Sequence, residues 1–153
     1  MSDRKVIATN RKASHEYDLE EPVEAGLVLM GSEIKSIRDN RVNLKDGYVV
    51  EREGELWLEN VHISQYDQAS IFGHDPIRPR KLLLHRKEIN RMISRMREKG
   101  YSVVPKLLYL KNGRAKVEIA LGRGKRQYDK RAAIAERDAK RDIDRALRER
   151  ERE

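Results

Sequence analysis

The chain has 153 residues, with 34 Lys and Arg against 26 Asp and Glu, a net charge of +8 and no cysteine. That length suits one domain plus an appendage, and the missing thiols exclude a disulfide framework, thiolate zinc sites and a cysteine nucleophile. No apolar run reaches the roughly 18–20 residues of a membrane span, and the N-terminus lacks a signal-peptide stretch, so a soluble, cytoplasmic, basic protein is expected.

In chain order, Glu16–Leu19 and Val23–Met30 read as extended segments broken at Pro22, with Val23, Ala25, Leu27 and Leu29 on one parity. Ser32 is placed to cap a short helix to Ile37, in which Ile34 and Ile37 share a face. Tyr48–Arg52 and Glu55–Glu59 flank Glu53-Gly54, a tight hairpin turn. Leu56 and Leu58 have the opposite parity to Val61 and Ile63, so a bulge or bend is expected near Asn60. Residues 65–81, with Gly73, Pro76 and Pro79, read as a loop. Ile89, Met92, Ile93 and Met96 form one apolar helical face, and Gly100 is placed to end that helix. Val103–Lys111 and Arg114–Leu121 surround Asn112-Gly113, a strong hairpin signal that pairs Lys111 with Arg114 and turns Lys116 and Glu118 outward.

About six antiparallel strands with embedded helices imply a mainly β fold. An OB-like barrel over residues 1–121 is the first expectation, and a two-layer α+β sandwich the second. Beyond Leu121 the composition changes: residues 122–153 hold 12 basic and 8 acidic side chains on a thin apolar stripe. Residues 130–152 lack Gly and Pro and are rich in strong helix formers. A frayed helix or a coiled-coil arm is the bland reading of this tail, but no a/d heptad is sustained, and a segment disordered alone and helical in a partner's groove is expected.

Candidate chemistry is sparse. The histidines at 15, 62, 74 and 85 lack metal-ligand spacing, and His15-Glu16 would face opposite ways in a strand. No serine sits in a nucleophile elbow, and Gly122-Arg-Gly124-Lys125 is not a phosphate-binding loop of the GxxxxGK[ST] kind. No catalytic residue, metal or cofactor is therefore assigned, although an RNA-processing enzyme built on one of many carboxylate pairs stays open as the alternative. Basic clusters are plentiful: Arg4, Lys5, Arg11 and Lys12; Arg78, Arg80 and Lys81; and Arg123, Lys125, Arg126, Lys130 and Arg131. Phosphate-rich partners favour such surfaces through counterion release. Eight aromatic residues in the whole chain make a thin stacking platform, so folded RNA is expected over extended single strands.

Five blocks carry a resemblance: Asn10-Arg-Lys-Ala-Ser-His-Glu-Tyr17, Glu24-Ala-Gly26, Gly31-Ser-Glu-Ile-Lys-Ser-Ile-Arg38, Arg80-Lys-Leu-Leu-Leu-His85 and Gly124-Lys-Arg-Gln-Tyr-Asp-Lys-Arg131. In this order and spacing the chain resembles the bacterial SsrA-binding (SmpB) family. The resemblance implies an OB-like barrel with a tail, and a non-catalytic adaptor for transfer-messenger RNA (tmRNA) in trans-translation, the rescue of stalled ribosomes with peptide tagging. In that picture the barrel grips the tRNA-like domain, and the tail folds in the empty mRNA channel beyond the decoding centre. It further implies a monomer that meets elongation factor Tu through charged tmRNA. Asn10, Arg11, Lys12, Glu24, Leu83 and Lys116 match RNA-binding positions. Arg123, Lys125, Arg126, Lys130 and Arg131 match the ribosome-contacting tail, with Tyr128 as a stacking ring. Ser14 stands where the family pattern leads one to expect a basic residue.

Overall fold

A computed structural model describes residues 4–65 and 74–124. Nine strands and three helices follow in the order β1 (Arg4–Thr9), α1 (Arg11–Glu16), β2 (Tyr17–Leu27), α2 (Gly31–Arg38), β3 (Val42–Asn43), β4 (Tyr48–Arg52), β5 (Glu55–Glu59), β6 (His62–Ile63), β7 (Arg80–Leu83), α3 (Arg86–Met96), β8 (Tyr101–Lys111) and β9 (Arg114–Gly124). Seven strands form one antiparallel sheet ordered β1-β8-β9-β2-β7-β5-β4, and β3 pairs with β6. The sheet curls until β4 lies alongside β8, yet ladder pairing ends at β4, so the curl closes by packing and not by hydrogen bonds.

Local chemistry explains most of these elements. Glu53 and Gly54 adopt positive φ in the β4–β5 turn, as do Asn112 and Gly113 between β8 and β9, the conformation that suits a two-residue hairpin. The second hairpin has the expected register, with Lys111 opposite Arg114 and Leu108 opposite Val117. The parity slip after Leu58 is a bend at Asn60, whose φ is 58°, and it separates β5 from β6. Pro22 does not break the extended run, since β2 passes through it from Tyr17 to Leu27 and stops short of Met30. It sits in a bulge between Glu20 and Val23, where a missing N–H removes no ladder bond.

The core lies inside the curl. Ala25, Leu56, Leu58, Val61, Leu82, Leu108, Val117, Ile119 and Leu121 are all buried, with Ile37 of α2 and Ile89, Met92 and Ile93 of α3 packed against them. Cationic side chains of α3 tie the helix to β2 through Arg91–Glu21 at 2.6 Å and Arg95–Glu20 at 3.2 Å.

Several expectations change. Arg4–Thr9 is a strand and Arg11–Glu16 a helix, so His15 and Glu16 lie on α1 and not in an extended segment. Residues 80 and 81, expected in a loop, open β7. Strand β9 runs on to Gly124, three residues past Leu121. Helix α2 starts one residue before Ser32, and the Glu33 carboxylate accepts from the Met30 amide at 2.8 Å. Tail positions Lys125, Arg126, Tyr128, Lys130 and Arg131, and the helical pattern over residues 130–152, lie outside the described residues.

The largest departure concerns Arg78 and Arg80. Arg80 is fully buried: Nε donates to Glu33 Oε2 at 2.6 Å, Nη1 to the Val61 carbonyl at 2.6 Å and Nη2 to the Pro76 carbonyl at 3.1 Å. Arg78 pairs with the other Glu33 oxygen. Neither guanidinium is a spare phosphate ligand. Burial alone opposes ionisation of Glu33, but hydrogen bonds from Arg78, the Met30 amide and Arg80 together hold its carboxyl below the usual carboxylate range. Breaking a buried pair from one side leaves a charge without compensation. Glu33→Ala is therefore expected to cost about 3–5 kcal/mol in urea denaturation at neutral pH; a cost below about 1 kcal/mol would contradict this role. A carboxyl with a lowered folded pKa contributes stability above its unfolded value of about 4.3 and loses it as pH falls through the folded value. The parent's acid-induced loss of stability below that point should accordingly flatten in the variant.

Candidate nucleic-acid interface

Register alone assembles the outer surface of the sheet. Val6 of β1 stands opposite Tyr109 of β8, Tyr109 opposite Lys116 of β9, Lys116 opposite Gly26 of β2, and Gly26 opposite Leu83 of β7. Directly paired residues share a face, so one rung crosses five strands. Gly26 matters for its missing side chain: a Cβ there would lie 3.2 Å from Leu83 Cβ and 3.7 Å from Lys116 Nζ. The lysine head thus reaches over the glycine toward Leu83. At 53% exposure Leu83 is a surface side chain and not core, and Val6 at the far end of the rung is 49% exposed.

Glu24 lies two residues from Gly26 on the same face. Its Oε2 accepts the Tyr109 hydroxyl at 2.6 Å and Lys111 Nζ at 3.5 Å. The hydrogen bond from Tyr109 is the main reason its carboxyl is lowered, with smaller help from Lys111 and Lys116. Tyr109 is buried beneath Arg4, whose guanidinium stacks 4.0 Å from the ring centroid and pairs with Glu118 at 3.2 Å. Desolvation and the Glu24 carboxylate push the Tyr109 phenol well above its ordinary range. The two acids on this face thus hold cations and a tyrosine in place. Lys111, Asn112, Arg114 and Lys116 join Glu24 around an open depression of about 450 Å³. Sequence reasoning assigned Glu24, Leu83 and Lys116, and the structure brings these three together. It missed Tyr109 and Gly26, although the outward parity of Tyr109 in its hairpin was a usable signal.

The N-terminal group divides. Arg11 and Lys12 are exposed on α1, and Lys12 Nζ meets Asp46 at 2.8 Å, a hydrogen bond that raises the pKa of the lysine. Asn10 is different: it is 2% exposed, its Nδ2 donates to the carbonyls of Leu44 and Pro105, and its Oδ1 caps α1 at the Ala13 amide. With both amide protons and the carbonyl committed, Asn10 sets the pose of α1 and has no free edge for a base. Ser14 is exposed beside Lys12 and Arg11 on the same short helix. Arg123 stands on β9 opposite Asp18 and Tyr101, and its side chain is exposed. Of the loop cluster, Arg80 is buried, whereas Lys81 lies on the outward parity of β7, paired across the ladder with Trp57.

His74, one of the four histidines without ligand spacing, uses both ring nitrogens within the protein. Nε2–H donates to the Ile63 carbonyl at 2.7 Å, leaving Nδ1 to accept from Ser32 Oγ at 2.9 Å. Among the described residues, no three His, Asp or Glu side chains form a group able to hold a metal ion, and no helix is long and apolar enough to cross a membrane. The Tyr109–Glu24 bond can be tested directly: Tyr109→Phe should raise the Glu24 carboxyl pKa in an NMR titration, and an unchanged titration would remove the hydroxyl as its cause.

The family model described as "SmpB protein" matches residues 7–149. Similar chains include the SsrA-binding protein of Geobacillus kaustophilus (strain HTA426), 56% identical over 148 residues, covering 97% of this chain and 96% of the relative. That of Listeria monocytogenes serovar 1/2a (strain ATCC BAA-679 / EGD-e) is 54% identical over 149 residues, covering 97% of each. A solved chain from "tmRNA-SmpB: a journey to the center of the bacterial ribosome" is 41% identical, with a TM-score of 0.67, covering 77% of this chain and 83% of that one. The family match over residues 7–149 and more than 50% identity across 97% of the chain lead to one conclusion: the chain belongs to the SmpB family.

Proposed function

We propose that this chain is a non-catalytic RNA-binding adaptor. It binds the tRNA-like domain of tmRNA and delivers it to stalled ribosomes for trans-translation, meeting elongation factor Tu through charged tmRNA. The observation that carries the reading is near-full-length membership of the SmpB family, with a solved relative from a tmRNA and ribosome study. The surface chemistry fits. Arg4, Lys111, Arg114 and Lys116 face outward around Glu24 and Glu118, so phosphates meet an excess of cations whose positions the carboxylates fix. Leu83 and Val6 add apolar contact at the ends of the rung, which suits ribose and base faces in a folded RNA read by shape.

Arg11 and Lys12 add cations for phosphates on α1, apart from the rung, while Asn10 works from beneath by holding α1. Arg123 and the positions Lys125, Arg126, Lys130 and Arg131 form the ribosome-directed basic stretch, with Tyr128 stacking at the decoding centre. The tail takes helical form inside the mRNA channel, where phosphates neutralise its arginines.

Two outcomes check this. Lys116→Ala should weaken binding of a tmRNA transcript and flatten the salt dependence of its affinity by about one unit, as loss of one phosphate contact requires; an unchanged slope would remove Lys116 from the interface. Ending the chain after Gly124, where β9 stops, should keep tmRNA binding and abolish peptide tagging on stalled ribosomes. Full tagging by that variant would contradict the division of labour.

A further inference from the structure

Away from the outer rung, at the seam where β4 approaches β8 without ladder pairing, lies a cleft of about 430 Å³. It gathers Tyr17, Tyr48 and Tyr101, together with Lys12, Lys45 and Asp46, from α1, the β2 start, the loop before β4, the β4 start and the β8 start. Two glycines build it. A Cβ on Gly122 would fall 2.9 Å from the Tyr17 ring, so this ring rests on bare backbone. A Cβ on Gly47 would lie 2.6 Å from Val61 Cγ2 and 2.9 Å from Pro105 Cγ, so the chain just before Tyr48 is pressed against β8.

We infer that this cleft receives an unpaired nucleotide from a loop of tmRNA, its base lying against the tyrosine rings. This rests on the proposed RNA-binding role. Every base offers a π face to aromatic side chains, and cations beside such rings take the adjoining phosphates. Lys45 and Lys12 supply those cations at the rim, and Lys12 follows Arg11 on α1, a helix already directed toward RNA. Asp46 offers a carboxylate for the amino edge of a base: one oxygen is held by Lys12 at 2.8 Å, and a carboxylate has acceptor capacity on both. The volume lies in the ordinary range of ligand sites.

Tyr48 is the residue to change, because at 43% exposure it can be replaced without opening the core. In the full chain, Tyr48→Leu should weaken binding of a tmRNA transcript about ten-fold with an unchanged salt slope, since a stacking contact is lost and no phosphate contact is. Tyr48→Phe, which keeps the ring, should bind within about two-fold of the parent. Equal thermal melting of all three proteins secures the comparison. Affinity for tmRNA unchanged in Tyr48→Leu overturns the inference, as does a Phe variant as weak as the Leu variant. If Tyr48→Leu is silent while Lys116→Ala weakens binding, only the cleft assignment falls; if both are silent, the RNA-binding surface itself is wrong.

Discussion

A carboxylate and a guanidinium taken out of water together hold this fold in register. Glu33 and Arg80 are both fully buried, an arrangement tolerable only when geometry and further hydrogen bonds replace the lost hydration. Here they do. Arg80 reaches α2 through Glu33, the bend after β5 through the Val61 carbonyl and the β6–β7 connection through the Pro76 carbonyl. Because Arg80 must point inward to make these bonds, the alternation along β7 sends Leu82 into the core and turns Lys81 and Leu83 outward. The exposed leucine above Gly26 is thus a downstream effect of an ion pair on the opposite side of the strand.

Curvature then separates two kinds of surface. Across the outer face, short rungs of paired residues bring side chains from distant parts of the chain within reach of one another, and acids serve to hold bases and Tyr109 in position. At the β4–β8 seam the curl closes without a ladder, and the gap is lined by rings and lysines where a continuous sheet would have filled it. Both surfaces need glycine for the same steric reason. Gly26 leaves room for Leu83 on the neighbouring strand, and Gly122 lets a ring lie on bare backbone.

Much of this was readable beforehand. Hairpins carry their own turn chemistry within two residues, so Glu53-Gly54 and Asn112-Gly113 announced β4–β5 and β8–β9, the second with its register. The apolar spacing of Ile89, Met92, Ile93 and Met96 announced α3, because helical periodicity is local. Strand β1 escaped notice because Arg4–Thr9 is largely exposed and carries no buried alternation. Strands β3, β6 and β7 are too short to show a period, and α1 is a six-residue helix held by Asn10. Among candidate site residues, Glu24, Leu83 and Lys116 came from the resemblance as separate positions and only the sheet register places them side by side, whereas Asn10 was credited with a surface it does not have.

Composition, turn signals and family blocks were enough to establish a basic, mainly β chain of the SmpB family, since these properties depend on residues adjacent in sequence. Which arginine is structural and which is available was settled only by folding. Arg80 and Lys81 are consecutive and both cationic, yet one is buried against Glu33, 47 positions away, and the other faces solvent. Strand parity relative to a distant partner decides that, and no local pattern encodes it. The same holds for Tyr17, Tyr48 and Tyr101, scattered along the chain and gathered at a seam that exists only once the sheet has curled.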